Sequence, residues 1–211
     1  MIRYIYGQDL HTRPALRDAM FRDRAAQFVG RLGWDLPLTA EGLEIDQYDA
    51  LNPLYVIWET PKGGHGGSMR LLPTTGRTMV IDHFLHLTDG VRIESPLIWE
   101  CTRFCLSEGA HPGVAAGLML AGGEVMRGFG VEHFVGVFDA RMVRIYRRIG
   151  ASPEVLGTSG SGRAQVSVGL WDFTVEAQAR VAASAGIAPE TSRRWFETAF
   201  GTAPQSCVAA A

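Results

Sequence analysis

The stretch LIWECTRFC, residues 97–105, decides the fold together with GVAAGLMLAGGEVMRGFG, residues 113–130, and EHFVGVFD, residues 132–139. The first and third segments are short and rich in aromatic and apolar residues, which predicts two strands. The middle segment places Val114 and Leu118 at the spacing of one helical face, so it predicts a helix. A strand, a helix and a strand in this order indicate an α/β sheet covered by helices.

The alternation continues toward the C-terminus. Asp139 is a typical N-cap for a helix with the sequence ARMVRIYRR, and Gly150 is a typical helix end. The Gly/Ser-rich connection that begins SGSGR leads into a last strand within residues 159–173. Residues 175–211 then read as a peripheral tail of two short helices, so we expect one domain over residues 1–211.

The N-terminal half predicts a long helix and a hairpin. The helix begins at Pro14, carries an apolar stripe and ends before Gly33. PLYVIWETP, residues 53–61, and SMRLLP, residues 68–73, read as two strands around a glycine-rich turn. The chain is therefore expected to form one sheet with helices on both faces.

The composition excludes several classes of function. With 46% hydrophobic residues, 20% charged residues and a net charge of −2, the chain has no broad basic surface for nucleic acid or anionic membranes. No apolar run approaches the ~20 residues of a membrane span. Cys101, Cys105 and Cys207 form no CxxC pair and the N-terminus carries no secretory leader, so we expect a reducing, cytoplasmic location.

Three arginines are flanked by apolar residues, where a charge needs a partner. Arg24 lies on the helix stripe between Met20 and Phe28, and Arg70 and Arg103 lie within predicted strands. Four acids are available to balance them: Glu44, Asp46, Asp49 and Glu100. Snorkelling arginines, a buried structural network and a polar pocket for a zwitterionic ligand are all consistent with this pattern.

The acids of EIDQYDALNP, residues 44–53, raise the question of a metal. A solvated loop is the common fate of such a sequence, and a calcium loop needs a longer series of oxygen ligands with a central glycine. The histidines form no HExxH pattern and no GxSxG motif is present. We therefore expect no metal and no serine nucleophile.

Aromatic residues accompany the charged ones along the chain: Phe28, Trp34, Phe84, Trp99 and Phe104. Core packing explains such residues in most proteins. Aromatic walls beside acids are also what an organic cation such as a sulfonium prefers.

Four motifs in one order carry a family resemblance. They are R-x3-F-x5-W at 24–34, E-x-D-x2-D at 44–49, R-L-x-P-T at 70–74 and E-x2-R at 100–103. Together they resemble the acyl-homoserine-lactone synthases, the bacterial autoinducer synthases of quorum sensing. The resemblance is close over residues 1–105 and looser to about residue 175.

The resemblance implies a fold and a reaction. The fold is a three-layer α/β/α sandwich around a mixed sheet, similar to the GCN5-related N-acetyltransferases. The substrates are S-adenosylmethionine (SAM), which donates the amine, and an acyl chain on acyl carrier protein; no cofactor is needed. After acylation, the methionine carboxylate closes on Cγ and expels methylthioadenosine.

The resemblance also assigns site residues. Its SAM-binding positions correspond here to Arg24, Phe28, Trp34, Glu44, Asp46, Asp49, Arg70, Phe84 and Arg103. Its catalytic positions correspond to Glu100, Asp46 and Arg103. The chemistry fits: Asp46 and Asp49 offset the positive charges of SAM, Arg24 or Arg103 holds its carboxylate, and Glu100 is the first candidate for the general base, with Asp46 next. Backbone N–H groups at 101–104 are candidates to stabilise the oxyanion.

One geometric conflict arises within this assignment. In a regular strand Glu100 and Arg103 point to opposite sides of the sheet. Either the strand is bulged, or the two side chains line different compartments.

The second half is expected to supply the acyl pocket and the carrier surface. Candidate pocket residues, for which core packing is an equal alternative, are Trp99, Leu118, Met119, Met126, Phe138 and Met142. Gly136 aligns where some family members carry a hydroxyl that recognises a 3-oxo group, which favours an unsubstituted or 3-hydroxy chain. A basic face suited to acidic acyl carrier protein, or simply solvated, is formed by Arg144, Arg147 and Arg148.

Two alternatives belong to other classes of function. SEGAHPGVAAG, residues 107–117, lacks the Q/R-x-x-G-x-G/A loop of acyl-CoA acetyltransferases, which disfavours CoA as the donor. A generic N-acyltransferase that uses acyl-CoA on another amine is the alternative enzyme. A non-catalytic sensor of SAM or of the carrier is the alternative outside enzymes.

Overall fold

A computed structural model describes residues 1–201 of the chain. Cys207 and the last residues of the predicted tail therefore lie outside the described part. Within it, one mixed sheet of seven strands forms the centre: β1 (Ile2–Tyr6), β2 (Leu54–Glu59), β3 (His65–Pro73), β4 (Ile98–Leu106), β5 (His133–Asp139), β6 (Glu154–Ser159) and β7 (Val166–Trp171).

Six α-helices accompany the sheet: α1 (Pro14–Ala25), α2 (Met79–His83), α3 (Val114–Phe129), α4 (Ala140–Ile149), α5 (Val175–Ala185) and α6 (Pro189–Phe200). A π-helical turn, Ala26–Arg31, extends α1 up to the predicted stop at Gly33, whose φ is +68°. Short 3₁₀ turns occur at Gly7–Thr12, Asp49–Leu51, Leu85–Leu87 and Gly162–Ala164.

The strand order is β1-β2-β3-β4-β5-β7-β6, and only β4 and β5 pair in parallel. Strand β2 shows how the layers are built. Leu54 and Val56 pack on the side of α3, whereas Tyr55 and Ile57 pack on the side of α1. Because successive side chains of a strand point to opposite faces, this double burial requires a helix layer on each side. The three-layer α/β/α prediction is confirmed.

The sheet separates at its centre. Strands β4 and β5 are paired only through Ile98, Trp99 and Glu100 of β4. Beyond Glu100 the two strands diverge, so the β5-facing edge of residues 101–106 has no strand partner. A gap of this kind leaves backbone N–H groups available to a ligand.

The predicted ends of α4, the predicted hairpin and the predicted helix α3 are confirmed. Asp139 Oδ1 accepts a hydrogen bond of 2.8 Å from the backbone N–H of Arg141, and Gly150 ends α4 with a φ of +86°. The predicted hairpin is β2–β3, and α3 follows the predicted bounds to within a residue.

Three elements were missed: β1, β6 and the short helix α2. The two helices expected in the tail are present as α5 and α6, but they are not peripheral. Val181 of α5 and Phe196 of α6 are buried in the same core clusters as α3. Among residues 1–201, no helix has the length and apolarity to span a membrane.

Candidate functional site

The conflict between Glu100 and Arg103 is resolved by a β-bulge. Ser68 of β3 is opposite Cys105 and Arg70 is opposite Thr102, so Arg103 and Phe104 share one residue on the partner strand. Arg103 has a φ of +52°, a left-handed conformation that costs an L-residue roughly 1–2 kcal/mol. The bulge turns its side chain toward the face of α1, where the acids lie.

Arg24 is a buried member of the charge cluster, with 1% of its surface exposed. Its Nε donates to Glu44 Oε2 at 2.5 Å, and its Nη1 and Nη2 donate to the two oxygens of Asp49 at 2.9 Å each. All three guanidinium nitrogens are therefore used inside the protein.

Arg70 and Arg103 complete the cluster. Arg70 donates to Thr102 through Nε and to Asp46 and Asp49 through Nη1 and Nη2. Arg103 contacts Glu44 through Nε and Nη2, and its Nη2 lies 2.8 Å from Asp46 Oδ2. The structure thus brings six predicted residues into one network of three cations and three anions. Glu100 is not part of it.

Electrostatics favour the charged forms of Asp49 and Arg24. Burial alone would raise the pKa of Asp49, but the guanidinium groups of Arg24 and Arg70 and the hydroxyl of Tyr55 keep it well below its usual range. The pKa of Arg24 is raised because Asp49 and Glu44 outweigh the opposing effect of its burial. The network is charge-balanced, which is the condition under which buried ions are tolerated.

The π-helical turn presents the aromatic residues of the first motif. Phe28 and Trp34 stack with ring centroids 5.0 Å apart, and the guanidinium carbon of Arg103 lies 5.4 Å from the Phe28 ring. Trp34 is 40% exposed. π-Helical turns are frequent at functional sites because they re-aim side chains within a helix.

A cavity of about 580 Å³ runs through the gap between β4 and β5. On the α1 side it is lined by Gln27, Phe28, Trp34 and Arg103, and the rest of its wall includes residues of α3, β5 and α4. Five of the chain's seven methionines line it: Met69, Met79, Met119, Met126 and Met142. The cavity therefore connects the charged cluster with an apolar, adaptable space.

Most of the predicted acyl-pocket residues line this cavity, namely Met119, Met126, Gly136, Phe138 and Met142. Two do not. Trp99 stacks on Phe129 with centroids 5.5 Å apart, and Leu118 is fully buried in the core. For these two residues the alternative of core packing is correct.

Gly136 is placed where a side chain does not fit. A Cβ atom there would lie 2.8 Å from the carbonyl oxygen of Cys101 and 3.4 Å from the ring of Trp171. The backbone of β5 thus approaches β4 closely at the gap, and only glycine permits this approach without a shift of the strands.

Seven predicted SAM-binding or catalytic positions lie outside the cavity wall: Arg24, Glu44, Asp46, Asp49, Arg70, Phe84 and Glu100. Phe84 is half-buried and packs in a separate cluster with Val80 and Leu87. Asp46 is occupied by Arg70 and Arg103. Glu100 is 0% exposed and absent from the cavity wall, and the assignment of Glu100 as a general base acting directly or through water stays a prediction.

Several lining residues were missed from the sequence: Met69, Met79, Cys101, Tyr146, Trp171 and Phe173. Met69 had a signal, since it alternates with Arg70 on a strand and must face the opposite layer. No sequence signal pointed to Met79, because the helix α2 to which it belongs was not predicted. Burial raises the pKa of the Cys101 thiol to about 12, so it is a neutral lining group.

The predicted basic face is exposed on α4. Arg144, Arg147 and Arg148 are all solvent-accessible, and within residues 1–201 none of the three forms an ion pair. Ile145 and Arg141 of the same helix line the mouth of the cavity. Across the described residues, no three His, Cys, Asp or Glu side chains are grouped to hold a metal ion.

The three-layer arrangement around a mixed sheet defines the class of fold, which is that of the GCN5-related N-acetyltransferases. An acyl-CoA N-acyltransferase from Pseudomonas aeruginosa shares this fold, with a TM-score of 0.55 and 14% identity over 82% of this chain and 99% of that one. Identity at this level concerns the fold alone.

The family is set by sequence. A family model described as autoinducer synthase matches residues 8–181. An acyl-homoserine-lactone synthase of Rhizobium etli is 41% identical over 185 residues, which cover 83% of this chain and 86% of the relative. The chain belongs to the autoinducer synthases, and its activity is that of an acyl-homoserine-lactone synthase, an acyltransferase of quorum sensing.

A solved structure shares the fold. The CoA-dependent acyl-homoserine lactone synthase BjaI, solved with SAM and isopentyl-CoA, has a TM-score of 0.78 and 23% identity over 89% of this chain and 90% of that one. The predicted resemblance is confirmed at the level of family and fold.

Proposed function

We propose that this synthase transfers an acyl chain from acyl carrier protein to the amine of SAM, and then forms the homoserine lactone with release of methylthioadenosine. The observation that carries the proposal is the cavity through the β4–β5 gap. It joins a charged and aromatic end to a methionine-lined end, which matches a zwitterionic sulfonium on one side and an acyl chain on the other.

Arg103 is the residue proposed to hold the SAM carboxylate. The nitrogens of Arg24 and Arg70 are all engaged by internal partners. Arg103 lines the cavity, and within residues 1–201 the one hydrogen-bond partner of its Nη1 is the thioether sulfur of Met79, at 3.8 Å. A thioether is a weak acceptor, so this N–H is available for a carboxylate.

The sulfonium of SAM is proposed to bind at the aromatic residues, not at the acids. Phe28 and Trp34 offer aromatic faces beside Arg103, where a sulfonium is favoured by cation–π attraction. The acids Asp46 and Asp49 stand behind the arginines and are neutralised by them. Their proposed part is therefore to orient Arg70 and Arg103.

The acylation is proposed to be direct. The amine nitrogen attacks the thioester carbonyl, a C–N bond forms, and the C–S bond breaks. Of the two protons that the ammonium loses, one ends on the carrier thiol and the other is released to water. Cys101 lies in the cavity, but its raised pKa keeps it protonated, so it is not a competing nucleophile.

The gap also supplies a place for the oxyanion. Because β4 lacks a partner beyond Glu100, the β5-facing backbone groups of residues 101–104 border the cavity. Fixed N–H donors at this point would stabilise the negative charge of the tetrahedral intermediate.

Lactone formation is proposed to rely on proximity. The carboxylate oxygen attacks Cγ, and the Cγ–S bond breaks with its electron pair going to sulfur. Sulfur becomes neutral, so methylthioadenosine leaves without a proton transfer. A carboxylate already held by Arg103 near Cγ makes this an intramolecular reaction with a high effective concentration.

The acyl chain is proposed to be unsubstituted or 3-hydroxylated. Gly136 itself carries no side-chain hydroxyl, and its close approach to the Cys101 carbonyl leaves no room for one at this position. The methionine lining favours a flexible aliphatic chain over a rigid one.

Two features support acyl carrier protein as the donor. The exposed arginines of α4 form a positive surface beside the cavity mouth, which suits an acidic carrier. The loop before α3, residues 107–113, contains Glu108 and neither lysine nor arginine, so it offers little to a CoA diphosphate. BjaI is CoA-dependent, so acyl-CoA is the second candidate donor.

The test is an assay with SAM and matched C4–C16 chains on carrier protein and on CoA. Methylthioadenosine and lactone are followed by mass spectrometry. Equal amounts of the two products, with a higher kcat/KM for the carrier-bound chains, support the proposal. An amide without methylthioadenosine would contradict the lactonisation, and preference for acyl-CoA would contradict the donor.

A charge-reversal pair tests the carrier surface. Replacing Arg144 and Arg148 by glutamate should raise the KM for the acyl carrier and leave the KM for SAM unchanged. Arg92→Glu is the matched control, because Arg92 is an exposed arginine with only a 3.8 Å contact to Glu94. An unchanged carrier KM in the double variant would remove α4 from the interface.

The two alternatives are less well supported. A generic N-acyltransferase needs neither the balanced cluster nor the sulfonium-sized aromatic site, and a non-catalytic sensor does not explain membership in a family of synthases. The mass-spectrometric assay separates all three: the generic enzyme gives amide alone, and a sensor gives no product.

A further inference from the structure

Glu100 differs from every other charged residue of the shared motifs. The six others bind each other as ion pairs, whereas Glu100 contacts no cation. Its Oε2 accepts a hydrogen bond of 3.0 Å from the backbone N–H of Met79, and its Oε1 accepts one of 2.6 Å from that of Val80. Both oxygens are therefore committed to backbone groups at the start of α2.

These two N–H groups have no other partner within the helix. The first turn of a helix leaves its N–H groups without internal acceptors. The side-chain oxygen of Thr78, the N-cap, accepts from Ile81, and the N–H groups of Met79 and Val80 donate to the Glu100 carboxylate. Glu100 is the last residue of β4 paired with β5, so the contact fixes α2 at the point where the sheet separates.

Met79 connects this contact to the substrate cavity. It lines the cavity, and its sulfur lies 3.8 Å from Arg103 Nη1, the nitrogen proposed above to hold the SAM carboxylate. Val80, on the other side of the helix, is buried against Val135 and Val168. The Glu100 carboxylate thus binds a segment in which Met79 lines the cavity and Val80 packs in the core.

We propose that Glu100 is a positioning residue: by binding the N–H groups of Met79 and Val80 it sets the methionine wall of the cavity against Arg103. The inference rests on the proposed function only in giving Arg103 the SAM carboxylate. To act instead as the base, Glu100 would have to receive the proton of the amine, directly or through water, although its surface is 0% exposed.

The state of the carboxyl group is consistent with this role. Burial raises the pKa of Glu100 to about 7, although the two backbone N–H groups act in the opposite direction. When the group is protonated, one oxygen becomes a donor and can no longer accept from α2 freely. The position of Met79 in the cavity wall is therefore expected to be most firmly held at and above neutral pH, where Glu100 is ionised.

A double-variant cycle tests the proposal with Glu100→Gln, Met79→Ala and the two combined. The glutamine keeps one acceptor and replaces the other by an NH₂ donor that faces a backbone N–H. Each single variant should raise the KM and the dissociation constant for SAM roughly tenfold, with kcat changed by less than about threefold. The combined variant should bind SAM no worse than either single variant, since both act on the same wall.

Glu124→Gln is the matched control. Glu124 is another buried carboxylate, on α3, where it pairs with Arg127 and is absent from the cavity wall. This change should lower the melting temperature without changing the affinity for SAM. A rise in KM for SAM in this control equal to that of Glu100→Gln would overturn the proposal, because general loosening would then explain both.

The base role predicts a different result. Removal of a general base lowers kcat by roughly 100-fold or more and removes the acid limb of the pH–rate profile. That result, with SAM affinity unchanged, would overturn the positioning role. So would a Met79→Ala variant, half-buried and expected to fold, with wild-type affinity for SAM.

Failure of the proposed function is distinguishable. SAM binding is measured by calorimetry and by Trp34 fluorescence, without an acyl donor. If wild-type protein binds SAM but forms no lactone with any donor, the reaction proposal fails while the binding cycle still decides on Glu100.

Discussion

The central arginine of the charge cluster should carry more stability than any exposed ion pair. Arg24→Met keeps an apolar side chain of similar length and removes three hydrogen bonds to Glu44 and Asp49. Loss of one partner of a buried pair costs about 3–5 kcal/mol. Glu44 retains Arg103 and Asp49 retains Arg70, so we expect the lower end, about 3 kcal/mol.

The expected shift in melting temperature follows from the size of the chain. For a domain of 150–250 residues, 1 kcal/mol corresponds to roughly 2–4 °C. The variant should therefore melt roughly 6–12 °C below wild type in differential scanning calorimetry at pH 7. Arg77→Met is the control, since Arg77 contacts Asp82 at 2.7 Å but is largely exposed. Such a pair contributes less than about 1 kcal/mol.

A second change restores the balance of charge. Arg24→Met leaves two cations and three anions in the cluster, and the added Glu44→Gln leaves two of each. The double variant should melt above the single variant, because the uncompensated buried charge is gone. A single variant within 2 °C of wild type, or a double variant that melts lower still, would refute the electrostatic explanation.

Three further outcomes are expected. The contribution of Glu100 to the free energy of unfolding should decrease as the pH rises from about 4.5 to about 7. The reason is that Glu100 keeps its proton up to about pH 7 in the folded protein, whereas the carboxyl group of the unfolded chain releases it near pH 4.5. Urea titrations at pH 5, 6 and 7 should show this decrease in wild type and not in Glu100→Gln. Gly136→Ala should cost about 1–3 kcal/mol and reduce turnover, since its Cβ would lie 2.8 Å from the Cys101 carbonyl; normal melting and turnover would contradict the close approach of the strands. Phe196→Ala should lower the free energy of unfolding by about 3–5 kcal/mol, which a lower melting temperature would show. Turnover at low temperature should be preserved, because Phe196 is outside the cavity. A loss of turnover in folded protein would contradict this expectation.

Prediction from sequence worked where one residue type has one physical explanation. Arginines between apolar neighbours required acids, and the structure brings Arg24, Arg70 and Arg103 to the three acids of residues 44–49. Asp139 and Gly150 marked the two ends of α4 because caps depend on local geometry alone.

It failed where an outcome depends on distant neighbours. Trp99 and Leu118 have the composition of an acyl pocket, but packing against Phe129 and the core decides their place. The strands β1 and β6 lie at the two edges of the sheet, where pairing with a single neighbour stabilises a segment whose own pattern is weak.

The sequence by itself determined the succession of α1, β2, β3, β4, α3, β5, α4 and β7, the charge-balanced set of residues and the family, because these depend on residue type and spacing. The tertiary structure decided which members of that set meet. The bulge that gives Arg103 a φ of +52° turns it from the face opposite the acids onto the same face, and no periodic pattern encodes that turn. Glu100 keeps its place in the strand and binds the backbone of α2 instead of an ion or a substrate. A carboxylate that accepts from a helix terminus and one that accepts from an arginine look the same in a sequence, since only the fold determines which donors reach it.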